Sequence, residues 1–137
     1  MYKRQILDVA HNPAGAWALR AGLNAVLAEG RKPRTLIFSC LRDKPVAEMA
    51  QILFPLFEQV IIAPIHTSRA AAQDDLLAAA AATGTPAVAA QSVSEALQLA
   101  RRPVAGCADG GVIVVSGSVY LVGEARTLLL AECGVES

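Results

Sequence analysis

The stretch Ile6-Leu7-Asp8-Val9-Ala10-His11-Asn12-Pro13 decides the reading of this 137-residue chain. Ile6-Leu7 belongs to an apolar run with the character of a short buried strand. Asp8 to Pro13 breaks it. Proline carries no N–H, and it drives the residue before it, Asn12, out of the helical region. An Ala- and Leu-rich pattern at helical spacing then begins at Ala14. An acid, an imidazole and an amide therefore gather where a strand gives way to a helix. In open α/β sheets, the carboxyl ends of the strands are where ligands bind.

Outward from this point the same alternation recurs. Strands are expected at 5–9, 35–39, 59–63, 87–89 and 112–115, with the last the strongest. Helices are expected at 14–29, 46–54 (running on to 56 through a kink at Pro55), 70–83, 92–102 and 119–133. In the first helix Trp17, Leu19, Leu23, Val26 and Leu27 fall on or near one face. Gly30 stops it, and Arg31-Lys32-Pro33 turns the chain. Asp74-Asp75 near the start of the third helix suit its dipole, and Ser92-x-x-Glu95 fits a capping box for the fourth. Residues 105–111 read as a turn. The pattern implies an α/β fold, an open and mostly parallel sheet with helices on both faces.

Length predicts a single domain over residues 1–137. Apolar residues make up 54% and charged residues 18%, which excludes a disordered chain. Twelve basic residues balance twelve acidic ones, so nothing in the net charge favours nucleic acid or an anionic membrane as a partner. Cys40, Cys107 and Cys133 are odd in number and far apart, as expected of reduced thiols in a cytoplasmic protein. With only His11 and His66 there is no zinc pattern, and no carboxylate cluster dense enough to hold a metal. No signal peptide or membrane-length apolar run is read. P-loop, Gly-x-Gly-x-x-Gly and Gly-x-Ser-x-Gly patterns do not occur.

If the sheet is parallel, its strand ends bring five polar clusters to one rim. These are Asp8/His11/Asn12, Ser39/Arg42/Asp43/Lys44, His66/Thr67/Ser68/Arg69, Gln91/Ser92 and Ser116/Ser118. Each has two readings. Asp8 either contacts a ligand hydroxyl or caps the following helix, and His11 either donates to an anion or is a satisfied loop residue. Lys44 either meets a phosphate or is solvated, with Asp43 as a helix cap. Ser116-Gly117-Ser118 either binds an anion at a helix start or supplies a plain N-cap. Arg69 either pairs with an anion or is solvated.

Three stretches carry a family resemblance, in order and over nearly the whole chain. Asp8-Val9-Ala10-His11-Asn12-Pro13 resembles the motif opening the C-terminal domain of the Mur ligase superfamily, in particular folylpolyglutamate synthase/dihydrofolate synthase. Leu41-Arg42-Asp43-Lys44 resembles the loop after that family's second strand, although Ser39-Cys40 stands where relatives often have Gly or Ala. Ser116-Gly117-Ser118-Val119-Tyr120-Leu121-Val122-Gly123-Glu124-Ala125-Arg126 resembles its last-strand motif.

The resemblance implies a Rossmann-like domain that binds the amino acid and closes over ATP in an ATP-dependent ligase. Its partners would be L-glutamate, a folate or pteroate substrate, and an N-terminal P-loop domain of the same protein that holds ATP and Mg²⁺. Asp8, Asn12 and Lys44 would serve ATP, and His11, Ser116, Ser118 and Arg69 the glutamate. His11 and Asp8 would be catalytic, and the isolated chain inactive. A free-standing α/β module that binds a nucleotide or anion without catalysis would use the same rim, and an interaction domain docking its Ala-rich helices is a third class.

Overall fold

The computed structural model describes residues 4–28, 30, 33–101 and 111–132. Within them run β1 (Arg4–Leu7), α1 (Pro13–Leu27), β2 (Arg34–Phe38), α2 (Val46–Leu53), β3 (Gln59–Ile62), α3 (Gln73–Ala82), β4 (Ala87–Ala89), α4 (Val93–Arg101), β5 (Val112–Ser116) and α5 (Val119–Glu132). The strands form one parallel sheet in the order β1-β5-β2-β3-β4. Every residue of β5 is buried, as a strand inside a two-sided parallel sheet requires.

Alternation along the strands divides the core in two. Leu36, Phe38, Val60, Ile62, Val112 and Val114 pack against α1, α2 and α3 through Leu19, Leu23, Met49, Leu53 and Leu76. Ile37, Ile61, Ile113 and Val115 pack against α4 and α5 through Val93, Leu97, Leu121 and Ala125. Handedness dictates this split. The chain steps in one direction from β1 to β4, so right-handed crossovers place α1 to α3 on one face. The return from β4 to β5 places α4 on the other.

The expected α/β class and the element order are observed, with local differences. The regular ladder of β1 ends at Leu7, short of the expected Val9, with one further bond from the Asp8 amide to the Val115 carbonyl. Residues 70–72 are not helical: Ala70 bridges Leu41 and the Ala71 amide donates to the Cys40 carbonyl, so α3 starts at Gln73. Pro55 does not kink a helix; it sits in a separate 3₁₀ turn, Phe54–Leu56. Trp17 does not join the core face. Ala16, Leu19, Leu23 and Val26 fill it, and Trp17, one position round from Ala16, is 56% exposed beneath the Arg20 guanidinium. That arginine is held in turn by the Ile52 carbonyl near the end of α2. Glu95 does receive the Ser92 cap, but its carboxylate accepts from Gln91 N rather than Ser92 N. The turns expected at 31–32 and 105–110, the Leu27 side chain, Cys107 and Cys133 lie outside the described residues.

Candidate functional site

β5 lies between β1 and β2, and its exit differs from theirs. The chain leaves β1 and β2 toward the α1–α3 face, and leaves β5 toward the α4–α5 face. Such diverging connections open a crevice at the strand ends. Two contacts bring its walls together. The Asp8 amide donates to the Val115 carbonyl at 3.0 Å, tying the loop after β1 to the end of β5. Gly117 has φ +114°, and a Cβ there would run into the Ser39 carbonyl and the Phe38 ring, so the turn after β5 lies directly on the end of β2. Only glycine suits both that backbone angle and that approach.

The Asp8–Pro13 loop is organised by Asn12. Its extended backbone precedes Pro13 at the first helical position, and its Oδ1 accepts from Gly15 N at 2.7 Å. Asn12, and not Asp8, is therefore the cap of α1. Asp8 is half-buried, and none of the described residues donates to its carboxylate. His11 is exposed, with Nδ1 3.1 Å from the Val9 carbonyl. A carbonyl only accepts, so Nδ1 carries the proton of that bond.

On the other side, the loops after β2 and β3 are fastened into one unit. Arg42 N donates to the Arg69 carbonyl at 2.7 Å, and Arg42 Nη1 to the Ser68 carbonyl at 2.8 Å. Arg69 Nη2 lies 3.5 Å from Asp43 Oδ2 across an exposed pair that water screens. Asp43 is thus not the cap of α2, whose N-cap Pro45 has no side-chain bond. Lys44 is half-buried on the loop after β2. Cys40, within the clasp, is fully buried. Loss of hydration, and then the Asp43 charge, push its thiol up to about 11, against a smaller lowering by Lys44.

The turn after β5 holds two serines in different states. Ser118 caps α5, its Oγ accepting from Tyr120 N at 3.0 Å. Ser116 is fully buried, and its Oγ has no hydrogen-bond partner. The structure thus gathers Asp8, His11, Asn12, Ser116 and Ser118 at the crevice. Lys44 lies across β5 from the β1 loop, and Arg69 one strand further out. Sequence reasoning missed Gln73, whose Nε2 donates to the carbonyls of Ile62 and Ala90 and ties the ends of β3 and β4. A glutamine opening a helix gives no signal of that. Among the described residues no cluster of His, Cys, Asp and Glu could hold a metal ion, and no helix is long and apolar enough to cross a membrane.

Residues 3–119 match the family model described as Mur ligase, glutamate ligase domain. The fold matches folylpolyglutamate synthase from Mycobacterium tuberculosis complexed with ADP, at 31% identity and TM-score 0.74 over 88% of this chain. It matches the Thermotoga maritima folylpolyglutamate synthase at 28% identity and TM-score 0.77 over 95% of this chain. It also matches the bifunctional folylpolyglutamate synthase/dihydrofolate synthase of Yersinia pestis complexed with AMPPNP and Mn ion, at 27% identity and TM-score 0.75 over 91%. In each case this chain spans 28% of the other's length. No curated protein sequence matches it.

Proposed function

The chain belongs to the Mur ligase, glutamate ligase domain family, and we propose that it is the C-terminal domain of an ATP-dependent amide ligase that adds L-glutamate to folate or dihydropteroate. The observation that carries this reading is the combination of the family match over residues 3–119 with superposition on three folylpolyglutamate synthases, of which it spans 28% each. The remainder of the protein would include the P-loop domain that binds ATP. Two of those relatives were solved with ADP or with AMPPNP and Mn ion. Among the described residues no cluster of His, Cys, Asp and Glu could hold a metal ion, and in this reading the P-loop domain supplies the metal's ligands.

In this reading the carboxylate of the pterin substrate takes the γ-phosphoryl group of ATP, leaving ADP. The glutamate amine then attacks the acyl carbon of the acyl phosphate. A C–N bond forms, the C–O bond to phosphate breaks, phosphate leaves, and the nitrogen gives up a proton. The chain's own residues bind, orient and exclude water. Asp8, with a carboxylate not used as a cap, accepts from a ribose hydroxyl. Asn12 fixes the loop that presents Asp8 and His11. Lys44 offers a point charge to the phosphates. The exposed His11 ring reaches a carboxylate of glutamate. Arg69 exchanges its weak pair with Asp43 for that ligand, and the Ser118 O–H remains free to donate. Ser116, expected beside the amino acid, is completely buried in the ligand-free protein, and we assign it another part.

Holding the amine against the acyl carbon converts a bimolecular step into a nearly unimolecular one, and closure keeps water from the acyl phosphate. We assign the activity to the cytosol, the compartment that keeps a thiol such as Cys40 reduced. The test is ADP release by the full-length protein given ATP, Mg²⁺, glutamate and either dihydropteroate or a reduced folate. Turnover should require both glutamate and a pterin acceptor. A folded protein inactive with either acceptor would refute the assignment.

A further inference from the structure

Ser116 closes β5 with a hydroxyl that reaches neither solvent nor a hydrogen-bond partner. Such a group is costly to bury, so a stranded one marks a partner that arrives later. Its surroundings name that partner. On the β2 side Ser116 pairs with Phe38, which is apolar. On the β1 side pairing runs through Leu7 and Val115 and continues in the Asp8 N–H to Val115 carbonyl bond, which brings Asp8 level with Ser116. Ile6 and Val114 pack into the same layer. Asp8 follows Ile6 by two residues and Ser116 follows Val114 by two, so alternation puts both side chains on that face. A donor without an acceptor thus adjoins an acceptor to which no described residue donates.

Accepting the reading above that Asp8 meets the nucleotide, we propose that Ser116 is its positioning residue. With the crevice open, the carboxylate of half-buried Asp8 is served by water. When nucleotide covers the crevice, that water is lost and the carboxylate has to find protein donors. Ser116 Oγ–H then donates to one carboxylate oxygen, and the other is held toward the ribose hydroxyl. Ser116 acts through Asp8 and does not touch the amino acid.

The experiment uses the full-length protein, with ADP and Mg²⁺ as the calorimetric probe. A hydrogen bond from a neutral donor to a charged acceptor predicts a loss of affinity of roughly 10-fold or more in Ser116→Ala. Asp8→Ala should also weaken ADP, and the double variant should be no weaker than Asp8→Ala alone. Ser116→Thr, which keeps the hydroxyl, should restore binding. KM for glutamate should stay unchanged in Ser116→Ala. Because that variant removes an unpartnered hydroxyl, the ligand-free protein should melt no earlier than wild type. Earlier melting would make the hydroxyl an ordinary structural group, and multiplying losses in the double variant or a raised KM for glutamate would give it a separate ligand; each overturns the proposal. If Asp8→Ala weakens ADP and Ser116→Ala does not, this proposal alone falls. If Asp8→Ala binds ADP normally, the nucleotide role of Asp8 falls with it.

Discussion

Replacing Gly117 by alanine tests the geometry of the crevice most directly. The backbone there has φ +114°, a region that costs a side-chain-bearing residue about 1–3 kcal/mol. The added methyl would meet the Ser39 carbonyl and the Phe38 ring. Neither yields easily: Ser39 is buried at the end of β2, and Phe38 is buried edge-on against Phe54, ring centroids 5.1 Å apart. Overpacking of that kind costs about 1–3 kcal/mol more, giving roughly 4 kcal/mol together. A chain of this length has an unfolding entropy of about 0.3 kcal/mol/K, so thermal unfolding should begin roughly 14 °C lower. Gly123→Ala is the matched control, because a Cβ at this α5 position meets nothing within 4 Å. It should gain about 0.5–1 kcal/mol from helix propensity. Melting both variants by circular dichroism decides the matter. A Gly117→Ala protein within about 1 kcal/mol of wild type, below the range its backbone strain and overlap require, would mean that the turn does not lie on β2 as described.

Three further outcomes follow from named contacts. Asn12→Ala removes the cap of α1 and should cost about 1 kcal/mol in urea unfolding, whereas Asp8→Ala, which removes no cap, should cost less; the reverse order would contradict the capping assignment. In the full-length enzyme His11→Ala should raise KM for glutamate roughly 10-fold or more, with ATP use little changed, and equal losses for both substrates would count against an amino-acid role. Cys40 has a folded-state pKa raised from 9.0 to about 11, so the stability it confers is fully present below pH 9 and is lost as pH rises through 11. That contribution falls by about 1.4 kcal/mol between pH 7 and pH 10, and Cys40→Ala should flatten the corresponding loss in urea midpoint; parallel pH profiles for the two proteins would refute the assignment.

The strands were legible because a parallel sheet covered on both faces needs unbroken apolar runs, and Val112-Ile113-Val114-Val115 and Thr35-Leu36-Ile37-Phe38 are such runs. The strand-end motif was legible because Asn12-Pro13 enforces a break just where polar side chains collect. What tertiary contacts decide was not legible. No local pattern states that β5 enters between β1 and β2. Ala70-Ala71-Ala72 has good helix propensity, yet hydrogen bonds to the β2 loop hold it out of α3. Trp17 lies close enough to the apolar arc of α1 to be read as core, but Ala16 and Leu19 already fill the contact with the sheet. At the site, spacing left open whether Asp8 met a ligand or capped α1, and three-dimensional geometry gave the cap to Asn12, which local pattern had not singled out for it. The solitary hydroxyl of Ser116 could not be foreseen, because its isolation depends on Phe38 and Asp8 as neighbours across two strands.

The place of β5 also sets a timetable for synthesis. A ribosome delivers β2, β3 and β4 in succession, and these adjoin in the sheet, so they can pair as they emerge. β1 is made first but borders only β5, which is made last. Until residues 112–116 are available, the Asp8–Asn12 loop has no neighbouring strand to anchor it, and β2 presents an unpaired edge of backbone N–H and C=O groups. A nascent or C-terminally clipped chain is therefore both adhesive and without its candidate crevice. Completion of the last strand covers that edge of β2 and brings the strand-end loops together in a single event.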